Sequence, residues 1–373
     1  MKALSSVFSW QRGLVVGALL IATLLVGFAL RGASVRSSAP PSTVPGSPGQ
    51  SGAPATAAAS EVPTPPAGPM LPTAARTSAA GTVVVQGAWG GAPGQFGRRR
   101  DPESNPEAPM AVAAGPAGQL AVVDQVNRRI LRYKNGKLSG TVDLGGDTVQ
   151  DLTLTRDGRL LVLDRLADGN VQSYGPDGKL LDTLSLGGKG VTDNGGVTGL
   201  FTDDDGIYVE RDHESVVRIA DASGRADPAR PELLGRPSRD GRLLLAAAIG
   251  DRSTGDVVVR AVDRSTGLPA WEQAIRLGAP IVHIVALDSD RRGMIYLAVD
   301  VGHEAPTPPY ALVDEKLVIA RLGGGGAPRG VLETPPLPAA DESFRPVTVD
   351  DDGTVFVMAG GDNGLTVTRY VFP

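Results

Sequence analysis

The side chains able to do chemistry in this chain are few. There is no cysteine, which removes disulfides, thiolate metal sites and a thiol nucleophile, and there are only three histidines. His213 stands in the polar run Arg211-Asp212-His213-Glu214, His303 in Gly302-His303-Glu304 ahead of a proline-rich stretch, and His283 inside the apolar run Ile281-Val282-His283-Ile284-Val285. No two of them have the close spacing of a local zinc motif, although ligands from distant segments can converge without a sequence signature. His283 reads as a half-buried strand histidine with a hydrogen-bonded ring. The other two sit in loops, and the Val301 to Tyr310 loop is longer than the two to five residues or so that usually join paired strands. Arg211, Asp212, His213, Glu214, His303 and Glu304 are therefore the residues expected to meet a ligand or partner.

The acidic clusters carry less. Asp203-Asp204-Asp205-Gly206 and Asp350-Asp351-Asp352-Gly353 lack the alternating spacing and distal glutamate of a calcium loop, and Asp288-Ser289-Asp290-Arg291-Arg292-Gly293 has Arg292 where an oxygen ligand is needed. Asp before Gly is what a tight hairpin requires, the carboxylate capping the turn and glycine supplying positive φ. Arg98-Arg99-Arg100 is followed by Asp101, Glu103 and Glu107 and reads as a self-neutralising loop. Trp89, Phe96 and Trp271 read as packing between repeats. Gly323 to Gly326 lacks the Lys-Ser/Thr and following helix of a phosphate cradle, and no G-x-S-x-G or G-x-G-x-x-G occurs.

Around these residues lie 373 residues with 49 glycines, 30 prolines and a net charge of -5, a composition of short strands and turns with no basic footprint for nucleic acid. After a short head, residues 1–12, the segment Gly13 to Leu30 is free of charge and flanked by Lys2, Arg12, Arg31 and Arg36. As a helix it spans about 27 Å, near the hydrocarbon thickness of a bilayer, and a cleavage site is poor, so a transmembrane signal-anchor is expected. Residues 31–80 are rich in Pro, Ala, Ser and Thr and are expected to be a disordered linker. The expected placement is a single-pass membrane protein with its body on the extracytoplasmic side.

In that body, residues 81–373, apolar runs of four to eight residues bounded by Gly, Pro, Asn and Asp recur, with no sustained helical period. Turn glycines at Gly118, Gly158, Gly206, Gly241 or Gly255, Gly293 and Gly353 mark a period of about 40 to 50 residues, that of a propeller blade, and about six blades fill the body. The fold class is all-β, a six-bladed β-propeller. Gly81 to Trp89, a run of β-branched residues left over before the first blade, is expected to pair with the last strand, Leu365 to Phe372, and close the ring.

The segment from Ala108-Pro109-Met110 through Gly118-Gln119-Leu120-Ala121-Val122-Val123-Asp124 to Asn127-Arg128-Arg129-Ile130 resembles an NHL repeat, with its proline opening the innermost strand, its glycine turn, its Asp and its N-x-R-I element. Later blades keep the glycine turn and strand and lose most of the rest. Because the informative residues of the repeat are all structural, and an anchor and linker precede it, the expected role is a non-enzymatic binding or scaffold module for a protein or small ligand at one face of the disc, needing no cofactor. The resemblance adds to this. It also implies an alternative, a metal-dependent lactone hydrolase or lyase with a divalent cation on the axis, for which Asp212, His213, Asp300, His303 and Glu304 are the available ligands.

Overall fold

The computed structural model describes residues 76–78, 80–103, 105–338 and 341–373; the expected span at 13–30 and the linker up to residue 75 lie outside them. Among the described residues no helix is long and apolar enough to cross a membrane. Six sheets follow one another along the chain, and in each the strands from residues 111–370 pair antiparallel, in chain order from the innermost outward. Blade one is Ala111–Gly115, Gln119–Asp124, Arg129–Lys134 and Lys137–Asp143; blade two is Asp151–Leu154, Leu160–Asp164, Asn170–Tyr174 and Leu180–Ser185. Blade three is Val197–Thr202, Gly206–Arg211, Ser215–Asp221 and Glu232–Leu233, and blade four is Arg236–Pro237, Leu243–Asp251, Asp256–Asp263 and Pro269–Arg276. Blade five holds Ile281–Ser289, Ile295–Glu304, Leu312–Leu322 and Pro328–Thr334, and blade six Val347–Val349, Val355–Gly361 and Gly364–Tyr370. The all-β six-bladed propeller is thereby established.

The aspartates before the turn glycines act as the local chemistry requires. Asp350 Oδ1 accepts from the amides of Asp352 at 2.9 Å and Thr354 at 2.8 Å while Gly353 takes φ +83°. Gly206 departs from this pattern: its φ is not positive, and glycine is required there because a Cβ would stand 2.6 Å from the Ala220 carbonyl oxygen. In blade four the turn glycine is Gly241, whose amide closes the turn on Ser238 O at 2.8 Å, whereas Gly255 lies in the next hairpin.

Two segments near the start of the body stitch the ring. Thr82–Ala88 pairs antiparallel with Gly364–Tyr370 as the outer strand of blade six, with Val85 opposite Val367 and only 3% exposed. This is the closure expected from the unpaired run of valines. Before it, Arg76–Ser78 adds a parallel strand to the outer edge of blade five, pairing with Val331, Leu332 and Glu333. That strand falls inside the stretch expected to be linker; backbone pairing at an open sheet edge is available to almost any sequence, so composition does not foretell it.

Asp124, Asn127 and Arg129 of blade one secure the junction. The Asp124 carboxylate is completely buried and accepts from Gly97 N at 2.8 Å, Asn127 Nδ2 at 2.9 Å and Arg129 Nε at 2.9 Å. Arg129 also donates to the carbonyls of Gly91, Ala92 and Gln95, and Asn127 to that of Gly90. Together they clamp the loop through which the chain passes from blade six into blade one. Phe96, in that loop, is fully buried beside Val112, Leu131 and Phe356.

Apolar clusters fill the interfaces between blades one and two, two and three, four and five, five and six, and six and one. Among the described residues no such cluster joins blades three and four. That seam is polar: Arg236 makes a bidentate pair with Glu210, and Arg264 bonds to Asp203 and, at 2.6 Å, to the Tyr208 hydroxyl.

Removing Arg129 leaves Asp124 charged and buried without its cation, a loss of about 3–5 kcal/mol, or roughly 5–10 °C in a domain of this size. Arg129→Ala is expected to lower Tm by that much in a thermal melt, while Arg260→Ala, which breaks the exposed pair with Glu272, changes it by no more than about 1 °C. Equal shifts for the two variants contradict the clamp.

Candidate functional site

The innermost strands of a propeller leave space on the axis, and here it is a cavity of about 400 Å³. Its walls differ in character. Blades four and five supply apolar groups, among them Leu245, Ala247, Ile249, Ile284 and Val285; the polar wall comes from Asp151 of blade two, Glu210 of blade three with Phe201 beside it, Arg236 at the start of blade four and Arg345 ahead of blade six. The cavity thus opens beside the polar seam.

Two arginines organise the polar wall. Arg345 Nη2 donates to Asp151 Oδ2 and to the Leu200 carbonyl, both at 2.6 Å, and Asp151 also accepts from the amides of Leu152 and Leu200. Arg236 donates to Glu210 at 2.6 and 2.9 Å and to Leu287 O at 3.1 Å, joining blades three, four and five. Both guanidinium groups lie over the Phe201 ring, 4.7 Å (Arg236) and 4.9 Å (Arg345) from its centroid. Burial alone would raise the Glu210 pKa, but Arg236 and the hydrogen bond from His213 hold it down at about 2. It is a fixed anion and a weak base.

The structure separates the residues singled out from the sequence. His213 and Glu214 line the cavity. They do so because Asp212 and His213 form the two central residues of the hairpin turn between the second and third strands of blade three, both with positive φ, +54° and +57°. His213 Nδ1 lies 3.3 Å from Glu210 Oε2, and its amide donates to Thr198 Oγ1 at 3.0 Å. Arg211 turns away, donating to Gly190 O at 2.7 Å and pairing with Glu232 at 3.3 Å, and Asp212 is exposed. His303 and Glu304 are exposed on the strand Ile295–Glu304, opposite Val313 and Leu312, and line no part of the cavity. The loop expected from Val301 to Tyr310 is therefore shorter, because its first four residues continue the hairpin.

His283 lines the cavity from blade five, with Nε2 3.5 Å from the Asp300 carboxylate. Asp300 is 9% exposed and its Oδ1 has no hydrogen-bond partner among the described residues; burial, with the nearby Glu315 charge adding to it, raises its pKa to about 7. Burial and the Arg252 charge lower that of His283, so the imidazole is neutral at neutral pH. Among the described residues no three of His, Asp and Glu stand together as a metal site, so the suggested ligands Asp212, His213, Asp300, His303 and Glu304 are not gathered.

At the other end of the axis the turns between first and second strands are tied by charge. Arg291 bonds to Asp204 at 3.1 Å and Asp351 at 2.9 Å, Arg239 to Asp288 at 3.2 Å and Asp351 at 3.5 Å, and Arg156 to Asp204 at 3.3 Å. The acidic triplets are thus turn caps and ion-pair partners. Likewise Arg98 and Arg100 pair with Asp341, at 2.8 and 2.9 Å, rather than with the acids that follow them in sequence.

Sequence reasoning missed Phe201, Arg236 and Arg345, which belong to no local motif. One signal was available: Arg236-Pro237 and Arg345-Pro346 repeat the proline that opens the innermost strand of blade one, which marks the preceding residue as one near the axis.

The sequence matches no protein-family model and no curated protein. By backbone shape the chain is similar to a hydrazine synthase of Kuenenia stuttgartiensis, at 13% identity over 72% of this chain and 80% of that one, with a TM-score of 0.48. It is similar also to virginiamycin B lyase of Staphylococcus aureus (12%, 70% and 94%, TM-score 0.38) and to the calcium-binding protein regucalcin of Agrobacterium tumefaciens (15%, 74% and 94%, TM-score 0.41). Likenesses of this size carry no argument about the site.

Asp300 makes stability depend on pH. With its pKa raised from about 4 unfolded to about 7 folded, the native state holds the proton longer, so its contribution is full below about pH 4 and lost as pH rises to 7. Asp300→Asn, which mimics the protonated acid, is expected to raise Tm at pH 8 by several degrees and to leave it nearly unchanged at pH 4. A parallel downward shift at both pH values contradicts the assignment.

Proposed function

We propose that this chain is a membrane-tethered, extracytoplasmic propeller of the NHL-repeat type that binds a small molecule in its axial cavity. The observation that carries the binding role is the cavity: about 400 Å³, within the range of roughly 300–1,000 Å³ common for small-molecule sites, with an apolar wall facing a polar one whose charges are locked in place. Arg345 is held by Asp151, Arg236 by Glu210, and Glu210 in turn by Thr198 Oγ1 before any ligand arrives, so little ordering is left for binding to oppose. The apolar segment Gly13 to Leu30 and the following linker support the tether. The clamp made by Asp124, Asn127 and Arg129 supports the repeat type, since it gives the N-x-R-I element of blade one a structural task.

A second reading, a metal-dependent lactone hydrolase or lyase, keeps one observation in its favour. Two imidazoles, His213 and His283, line the same cavity and each has a carboxylate beside one ring nitrogen, an arrangement that suits proton transfer. Turnover of a lactone with a stoichiometric bound cation separates this reading from simple binding.

Ala247→Trp places an indole inside the cavity. In a ligand-observed NMR screen of small molecules against the full-length protein, hits of the wild type are expected to be lost in this variant with Tm little changed; hits that persist place binding elsewhere. A reporter enzyme active only outside the cytoplasm, fused after Pro373, is expected to be active, and an inactive fusion that is fully expressed contradicts the orientation.

A further inference from the structure

The positive charges that line the cavity are already answered. Arg236 uses Nε, Nη1 and Nη2 on Glu210 and Leu287 O, and Arg345 is paired to Asp151 and lies over Phe201. What the cavity leaves open is mostly hydrogen-bond acceptors. Glu214 is exposed at the mouth, and its carboxylate has no partner among the described residues. The ionised Glu210 beside His213 Nδ1 favours the ring proton on that nitrogen, leaving the lone pair of His213 Nε2 free. Behind His283 stand the carboxyl groups of Asp300 and Glu315, against one cation, Arg252, whose Nη1 is bonded to the carbonyls of Ile281 and Val282.

The position of His213 has a cost as well. Turns with two positive φ values favour Asn-Gly, and an Asp-His pair there holds two side chains in the left-handed region. A strained turn that sets an exposed imidazole at the mouth of a cavity is an outlier with a functional account, and a glycine turn would hold the hairpin equally well.

We propose that the axial cavity takes an amphipathic primary amine, its hydrocarbon part against Leu245, Ala247, Ile249 and Ile284 and its ammonium at the mouth, at Glu214 and the adjoining His213. The inference rests on reading the cavity as a ligand site and adds the chemical class. An ammonium carries three N–H donors and no acceptor, which suits an imidazole lone pair and an unpaired carboxylate, with a donor left for water. The opposing element is Arg345, whose Nε and Nη1 make no hydrogen bond among the described residues and could meet a carboxylate head instead.

A matched series decides between them. Hexylammonium chloride, hexan-1-ol and sodium hexanoate share one tail and differ in head group, and each is titrated calorimetrically into the full-length protein near neutral pH. Hexylammonium is expected to bind at least about tenfold more tightly than hexanoate, the effect of one charge-assisted hydrogen bond. Glu214→Gln, at an exposed position, is expected to weaken the amine about tenfold and leave hexanol unchanged. Hexanoate binding as tightly as the amine, or more so, overturns the amine class while leaving the cavity a ligand site. Absence of binding by all three overturns the ligand-site reading and the inference with it.

Discussion

A propeller is a ring, and its geometry holds only if the last blade is joined to the first. In this chain the joint rests on one buried carboxylate. Asp124 gathers the amide of Gly97, Asn127 and Arg129, and through the latter two it fixes the carbonyls of residues 90 to 95. An ionised carboxylate out of water is costly unless every lone pair is answered, and here a cation and two N–H donors answer it. The outer strand Thr82–Ala88 can remain in blade six because the chain leaving it is held in this way. The strand Arg76–Ser78 on blade five extends the same stitching to a neighbouring blade.

Closure by packing and closure by charge divide the ring unequally. Five interfaces are apolar, and such contacts are stable but indifferent to what lies on the axis. At the seam between blades three and four the glue is instead Arg236 with Glu210 and Arg264 with Asp203 and Tyr208. Charged pairs at a seam give up some of the stability that apolar burial would supply, and they leave polar side chains facing inward where the cavity forms. The network of Arg156, Arg239 and Arg291 at the opposite end ties the turns there, so the two ends of the axis differ in kind: one knotted by ion pairs, the other a chamber.

The fold was largely legible in the sequence because its signals are local. A short apolar run, an Asp-Gly turn and another run specify a hairpin, and the valines at 83 to 85 had no partner except the far terminus. The register of blade four was ambiguous because Gly241 and Gly255 both end tight turns, and only the pairing of Leu243–Asp251 with its neighbours separates them. The cavity was much less legible. Phe201, Arg236, Arg345 and Ile284 come from four blades and meet only in space, so no spacing records their proximity. His213 and Glu214 were found because a polar loop follows a strand there, whereas His303 and Glu304, chosen by the same reasoning, continue a strand on the exposed part of blade five. Arg76–Ser78 was hidden by composition, since parallel addition to an edge uses backbone groups that every residue carries.

Native-state hydrogen exchange tests this account of ring closure most directly. If Thr82–Ala88 and the Asp124 clamp hold the ring, the amides of that strand exchange only through global unfolding, with the same free energy as those of Leu160–Asp164 in the interior of blade two. Exchange of the 82–88 amides at a much lower free energy, with blades one to five still protected, would show that the ring stands without its closing strand and contradict the account.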